Sequence, residues 1–123
     1  MEKINPEEAK SLVDRLGPHL DSRCDFTYAP VFPKTRSDVC AVDRIVENGT
    51  SYGFSVIYLV WKSGGELKSE YLVDTKLTKD YLHIDDILED GEDIVVKIRN
   101  GGAYSGEPSN EEYRRSKETL GLR

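Results

Sequence analysis

The chain has 123 residues, of which 37% are hydrophobic and 33% are charged, and its formal net charge at pH 7 is −6. This length and apolar content predict one domain, residues 1–123, built around one core. No stretch reaches the roughly 20 apolar residues of a membrane span. The charged opening MEKINPEEAK is unlike a signal peptide. We therefore expect a cytoplasmic protein that does not enter a membrane.

The negative charge is concentrated in one segment, residues 82–93, which reads LHIDDILEDGED. This segment holds six acidic residues and no Lys or Arg, and the rest of the chain has equal numbers of acids and bases. Nucleic-acid binding usually requires a basic face that neutralises phosphates. The charge distribution therefore argues against a nucleic-acid partner and fits a cation, a basic partner or solubility.

Cys24 and Cys40 are the two cysteines of the chain. A reducing cytosol keeps such residues as thiols, most often buried. However, the chain has no Gln and a single Met, a composition that leans toward a thermophile, where intracellular disulfides occur. A Cys24–Cys40 disulfide therefore stays open as the alternative.

The N-terminal segment predicts an amphipathic helix. Asn5 and Glu8 have capping-box spacing, and Pro6 suits the first helical position. Apolar residues then recur at helical spacing, and Gly17 with Pro18 predicts the end of the helix. The apolar stripe indicates that this helix packs on a sheet.

Alternating apolar and polar residues predict the strands that follow. The predicted strands are 24–28, 39–46, 52–61, 67–75, 81–84 and 94–99. The first is an edge strand, because Pro30 and Pro33 follow it and proline cannot donate to a strand ladder. Strand 52–61 is apolar on both faces, so it belongs where both faces are covered, at the centre of a sheet, in a barrel or in a dimer.

Turn and cap signals connect these elements. Asn48-Gly49 predicts a two-residue type I′ hairpin between the second and third strands. Near the C-terminus, Ser109 and Glu112 repeat the capping-box spacing, and Gly121 provides a stop signal. Glu111 and Arg115 are also spaced as a helical ion pair. A short C-terminal helix is therefore predicted.

The acidic segment is a candidate metal site. An EF-hand register with Gly91 at position six places Lys97 where the bidentate Glu should stand, so that motif fails. His83 and Asp85 lie two apart on a predicted strand and share a face, which makes them, with Asp86, candidate ligands for a divalent ion.

The alternative for this segment is structural. A strand ends at Ile84, a helical turn buries Ile87 and Leu88, and Gly91 turns the chain into the last strand. The carboxylates are then solvated and discourage aggregation. We favour this interpretation, because a transition metal needs three or four ligands.

The segment GGAYSG, Gly101 to Gly106, has the spacing of a phosphate-binding loop. Glu107 and Pro108 follow it where a P-loop has Lys and Ser or Thr, which argues against nucleotide binding. The segment remains a candidate loop for a ligand or partner. Its candidate residues are Gly101, Gly102, Tyr104 and Gly106.

Catalysis has little support in the sequence. A Ser or Cys nucleophile would have to use His19 or His83, and neither cysteine has a nucleophile-elbow or protease signature around it. His19 fits better as a cation at the end of the N-terminal helix.

The pattern as a whole predicts an α+β fold. We expect a twisted antiparallel meander sheet of five or six strands, with the N-terminal helix on one face and a short C-terminal helix at one end. A small closed β-barrel with flanking helices is the alternative, because the strands are sequential.

The function that the sequence favours is a non-catalytic binding module that acts through an apolar sheet face, with no cofactor. The partner would be a protein or a second copy of the chain in a homodimer, and a small-molecule ligand stays open. The partner-facing residues would be Tyr58, Trp61 and Tyr71. The alternative is a metal-assisted hydrolase with His83 and the neighbouring aspartates as ligands.

Overall fold

The computed structural model describes residues 2–19, 23–49 and 53–123. Its elements in chain order are α1 (Pro6–Leu16), β1 (Phe26–Thr27), β2 (Val39–Glu47), β3 (Gly53–Ser63), β4 (Glu66–Asp74), β5 (Leu82–Asp90), β6 (Asp93–Asn100), β7 (Ser109–Ser116) and α2 (Lys117–Leu120). Most of these elements are strands, in an α+β architecture. No helix in this part of the chain is long and apolar enough to cross a membrane. The single-domain interpretation stays a prediction.

The strands form two antiparallel sheets in place of the predicted single sheet. Sheet A has the order β1-β2-β3-β4, and sheet B has the order β5-β6-β7. Each sheet is a meander, as expected, but the chain leaves sheet A after β4 and starts again in sheet B. The two sheets do not close into a barrel, so the alternative fold is wrong.

The buried apolar residues form two clusters, one on each face of β3. Ala9 and Val13 of α1 pack with one face, in a cluster that includes Val56. The other face packs against sheet B, in a cluster that includes Ile57 of β3 and Ile94 of β6. The molecule therefore has three layers, α1, sheet A and sheet B. Because α1 covers one face of β3 and sheet B covers the other, both faces of this strand are apolar.

The N-terminal helix forms as predicted. The Asn5 side chain accepts a hydrogen bond from the Glu7 backbone N–H at 2.9 Å, and the Glu8 carboxylate accepts one from the Asn5 backbone N–H at 3.0 Å. These bonds satisfy backbone donors that the first helical turn leaves unpaired. The helix ends at Leu16, and Gly17 caps it.

The two cysteines are free thiols, so the disulfide alternative is wrong. Cys40 is buried in the cluster that packs against α1, and this burial raises the pKa of its thiol to about 12. Cys24 is half-buried. Cys40 therefore acts as a small apolar core residue.

The connection between β2 and β3 differs from the predicted two-residue turn. Glu47 pairs with Gly53, so five residues separate the paired positions. The predicted positive φ at Gly49 is present, at 80°, whereas residues 50–52, including the predicted strand start at Tyr52, lie outside the described residues. A contact distant in sequence helps to fix this register. The Tyr81 hydroxyl donates to Glu47 at 2.8 Å, and a Cβ at Gly53 would lie 2.5 Å from that hydroxyl.

The acidic segment forms β5 and not the predicted helical turn. The register with β6 shifts between Ile84 and Asp86, which marks a bulge at Asp85. The extra residue moves the core-facing positions from even to odd numbers, so Leu82 and Ile87 are both buried on one strand. A strict alternation pattern misses such a strand, because the period is broken in its middle.

The predicted C-terminal helix is wrong over Ser109–Ser116, which form β7 at the edge of sheet B. Arg115 does not form the predicted helical ion pair. Its Nε instead donates to Glu70 of β4 at 2.8 Å. The helix is only the short α2, which ends at Leu120 and is capped by Gly121 in the left-handed conformation, as the stop signal predicted. Pairing with β6 outweighs the local helix signals of this segment.

Candidate functional site

The three candidate metal ligands, His83, Asp85 and Asp86, are exposed on β5. The Asp85 carboxylate lies 3.3 Å from Nε of Arg99, and the Asp86 carboxylate accepts a hydrogen bond from the Ile87 backbone N–H at 2.9 Å. Within residues 2–19, 23–49 and 53–123, no group of three or more His, Cys, Asp or Glu side chains is placed to hold a metal ion. The structure therefore adds no support to a metal site here.

Bases from outside the acidic segment neutralise much of its charge. Arg114 of β7 lies 2.7 Å from the Asp90 carboxylate and 3.4 Å from that of Asp93. Lys117 lies 2.5 Å from the Glu89 carboxylate, and its hydrogen bond lowers the pKa of Glu89. The acidic segment contains no base of its own. In the fold, however, Arg114 of β7 and Lys117 of α2 lie beside it and neutralise part of its negative charge.

The glycine loop, residues 101–106, is anchored by a residue that the sequence did not single out, the buried Asp80. The Asp80 carboxylate accepts hydrogen bonds from the backbone N–H groups of Tyr104 and Ser105, at 2.7 and 3.1 Å. The Ser105 hydroxyl at 2.5 Å and the Asn100 amide at 3.3 Å also donate to it. Burial alone would raise the pKa of Asp80, but these hydrogen bonds together lower it to about 2.

The candidate residues of this loop have different roles. Gly102 has a φ of 67°, and a Cβ there would lie 2.6 Å from the Pro108 nitrogen, so the position favours glycine. A Cβ at Gly101 or Gly106 would meet no described atom within 4 Å. Tyr104 is 58% exposed and is the member of this set whose side chain a partner could reach.

The three predicted partner-facing residues separate into two groups. Tyr58 and Trp61 are each 9% exposed, whereas Tyr71 is 49% exposed. The Tyr58 hydroxyl donates to the Gly17 carbonyl at 2.8 Å, and Trp61 belongs to the core between the sheets. Burial by α1 and sheet B therefore removes two of the three from the exposed surface.

One cavity, of about 500 Å³, lies beside Arg36 near the C-terminal residues. Arg36 donates through Nε and Nη2 to the two oxygens of Asp38, both at 2.8 Å. Its Nη1 donates to the Arg123 carbonyl at 2.5 Å. The buried charges of this cavity thus bind each other and are not available to a ligand.

A second cavity, of about 440 Å³, opens between the segment that follows β1 and the start of β5. We name it the Asp43 cleft. Its lining residues are Tyr28, Ala29, Val31, Asp43, His83 and Ile84. This volume falls within the usual range of small-molecule sites, about 300 to 1,000 Å³.

Asp43 is the unusual member of this cleft. It is 6% exposed, and its Oδ1 atom is buried without a hydrogen-bond partner among the described residues. On β2 it shares the face of Val39 and Ala41, which pack toward sheet B. Burial raises the pKa of Asp43 to about 7. Since buried polar groups nearly always have a partner, the bare oxygen requires an explanation.

The walls of the cleft are apolar and aromatic. Tyr28 is 45% exposed, and its ring packs edge-to-face against Phe26, with centroids 4.9 Å apart. Val31 and Ile84 add aliphatic surface, and the described lining includes no Lys or Arg. The cleft therefore combines one buried carboxyl group with a largely apolar wall.

Sequence reasoning missed Asp43, although a signal was present. In the predicted strand 39–46, Asp43 has the same parity as Val39 and Ala41, which places an acid on an apolar face. Such a position requires a partner or indicates a function. The sequence offered no comparable signal for Asp80.

No protein-family model, curated protein or solved structure matches this chain. The functional assignment therefore rests on the geometry of the described residues.

Proposed function

We propose that this protein is a non-catalytic binding module and that its binding site is the Asp43 cleft. The observation that carries this proposal is the buried Oδ1 of Asp43, unpartnered within the described part of the chain, in a cleft of about 440 Å³. A ligand with a hydrogen-bond donor would supply the missing partner.

The proposed site replaces the apolar sheet face that the sequence favoured. Tyr58 and Trp61 are covered within the chain, so of the three predicted residues Tyr71 alone is exposed. Formation of a homodimer stays a separate prediction, because α1 and sheet B already cover the two apolar faces of β3. Sedimentation at several protein concentrations tests it.

Binding is proposed rather than catalysis because of what the cleft contains. Its described lining residues include no Ser, Thr, Cys or Lys, so an aliphatic hydroxyl, thiol or amine nucleophile beside a base is missing from this set. The hydrolase alternative requires His83, Asp85 and Asp86 to act together, and Asp85 pairs with Arg99 instead.

The test is a fragment titration followed by ¹H–¹⁵N NMR. We expect small ring-containing molecules, neutral and charged, to shift the backbone amide signals of Ala29, Val31 and Ile84, which line the cleft. If no fragment shifts these signals, or if the shifts cluster only beside Arg36, the proposal is wrong.

A matched pair of variants controls this experiment. Ala29 is exposed and lines the cleft, so Ala29→Leu should obstruct the site and abolish the shifts while the melting temperature stays unchanged. Leu77 is 97% exposed and lies outside the cleft lining, so Leu77→Ser should bind fragments as the parent chain does.

A further inference from the structure

Asp43 differs from two other buried aspartates because one of its carboxyl oxygens, Oδ1, has no donor among the described residues. Asp38 binds Arg36 through both of its oxygens, and Asp80 accepts four hydrogen bonds. Asp43 is similarly buried, yet its Oδ1 has no partner in residues 2–19, 23–49 and 53–123. The chain therefore provides donors for Asp38 and Asp80 and leaves the Oδ1 of Asp43, a residue that lines the cleft, without a donor among the described residues.

From this contrast we infer that the cleft takes an organic cation, an alkylammonium or arylalkylammonium group attached to an apolar body. The inference rests on the proposed function and specifies its ligand class. The ammonium group would donate to Asp43, and the apolar body would lie against the aliphatic and aromatic wall. Charge-assisted hydrogen bonds of this kind are about twice as strong as neutral ones.

The walls of the cleft support a cation of this shape. The Tyr28 ring packs against Phe26 and is partly exposed where it lines the cleft. An aromatic ring attracts a cation within about 6 Å of its centroid. A bare metal ion fits less well, since Asp43 and His83 supply fewer than the three protein ligands that metal sites normally have.

Proton competition gives the inference a measurable signature. The titratable groups that line the cleft with Asp43 are His83 of β5 and the Tyr28 hydroxyl, and its described lining has no Lys or Arg. Because burial raises the pKa of Asp43 to about 7, a cation must displace a proton at lower pH. Affinity should fall about 100-fold between pH 8 and pH 5, following the ionised fraction of the carboxyl.

The experiment titrates the full chain with benzylammonium and, as the neutral probe of similar shape, with benzyl alcohol. An amine of this type keeps its charge over this pH range, as the lysine side chain does. We expect benzylammonium to bind at pH 8, to weaken toward pH 5, and to lose at least about tenfold in affinity in Asp43→Asn. Benzyl alcohol should bind more weakly, with no pH dependence.

Two variants test which side chain causes the pH dependence of benzylammonium binding. Asp43→Asn keeps the shape of the side chain and removes its charge, and a dispersed NMR spectrum verifies that it folds. His83→Gln removes the titratable side chain that β5 contributes to the cleft. Whatever its affinity, this variant should keep the fall in affinity from pH 8 to pH 5, because Asp43 carries the titration, and loss of that fall overturns the inference.

The outcomes separate this inference from the proposed function. Equal affinity for benzylammonium and benzyl alcohol, or no effect of Asp43→Asn, overturns the cation inference but leaves a binding cleft. Saturable zinc binding that requires His83, without benzylammonium binding, also overturns it. Absence of any fragment at the cleft overturns both.

Discussion

Asp43 and Asp80 are buried aspartates in two regions of the molecule, yet their pKa values are shifted in opposite directions. Hydrogen bonds, most of them from the glycine loop, lower the pKa of Asp80 to about 2, despite its burial. Burial without such donors raises the pKa of Asp43 to about 7. The number of donors within reach, rather than burial, decides which form of a buried carboxyl is stable.

The positions of the two residues explain the difference. Asp80 lies in the connection between β4 and β5, where the glycine loop folds over it and turns backbone N–H groups toward it. Asp43 lies inside β2, which is paired with strands on both sides, so neighbouring backbone N–H groups are used by the sheet. A loop can fold around a carboxylate and supply it with backbone donors. A carboxylate on a strand depends for its donors on the groups that face the sheet at that position.

The largest effect is expected for Asp80→Ala. This change leaves donors of Tyr104, Ser105 and Asn100 without their acceptor, so we expect a loss of about 3 kcal/mol in the free energy of unfolding. Urea denaturation measures it. The control is Asp85→Ala, which removes an exposed ion pair and should cost less than about 1 kcal/mol. Similar losses in both variants would contradict the anchoring role of Asp80.

A smaller change in the free energy of unfolding, a gain at pH 8 in place of a loss, is expected for Asp43→Asn. The pKa of Asp43 is raised from 3.8 to about 7, so its stabilising contribution is complete below about pH 4 and is lost as the pH rises through 7. The full shift corresponds to about 4 kcal/mol. We expect Asp43→Asn to recover about 2 kcal/mol at pH 8, because the buried amide also lacks partners.

The pH dependence of unfolding distinguishes the two aspartates. Asp80 has a lowered pKa, so its contribution is present above about pH 4 and is lost as the pH falls toward 2. Asp43→Asn should therefore flatten the stability profile between pH 4 and pH 8 and leave its acid limb unchanged. A variant whose stability differs from that of the parent by the same amount at pH 5 and pH 8 would refute the assignment for Asp43.

The smallest effect is expected for Gly102→Ala, which tests whether the loop must keep its shape to supply the donors of Asp80. Its φ of 67° and the 2.6 Å approach of a Cβ to the Pro108 nitrogen disfavour any side chain. Strain of this kind should cost about 1.5 kcal/mol. Gly101→Ala is the matched control, because a Cβ there meets no described atom within 4 Å. Thermal unfolding compares the two variants. Equal melting temperatures would show that the conformation of Gly102 is not needed to hold the loop on Asp80.

The sequence by itself determined the elements whose signals are local. The capping box at Asn5 and the apolar stripe that follows it determine α1, because both act within a few residues of the chain. Runs of strand-forming residues between turn signals likewise indicated β2, β3, β4 and β6, with bounds that agree with the structure to within two residues. The sequence also showed that both faces of β3 needed cover.

Tertiary structure alone decided what covers those faces and where the unpaired carboxyl lies. The bulge at Asp85 interrupts the alternation of β5, and β7 forms because β6 offers an edge to pair with, against the local helix signals of Ser109–Ser116. The sequence placed Asp43 on an apolar face of β2 but could not show that its Oδ1 lacks a donor among the described residues. Hydrogen-bond partners and cavities depend on residues distant along the chain, which local patterns do not encode.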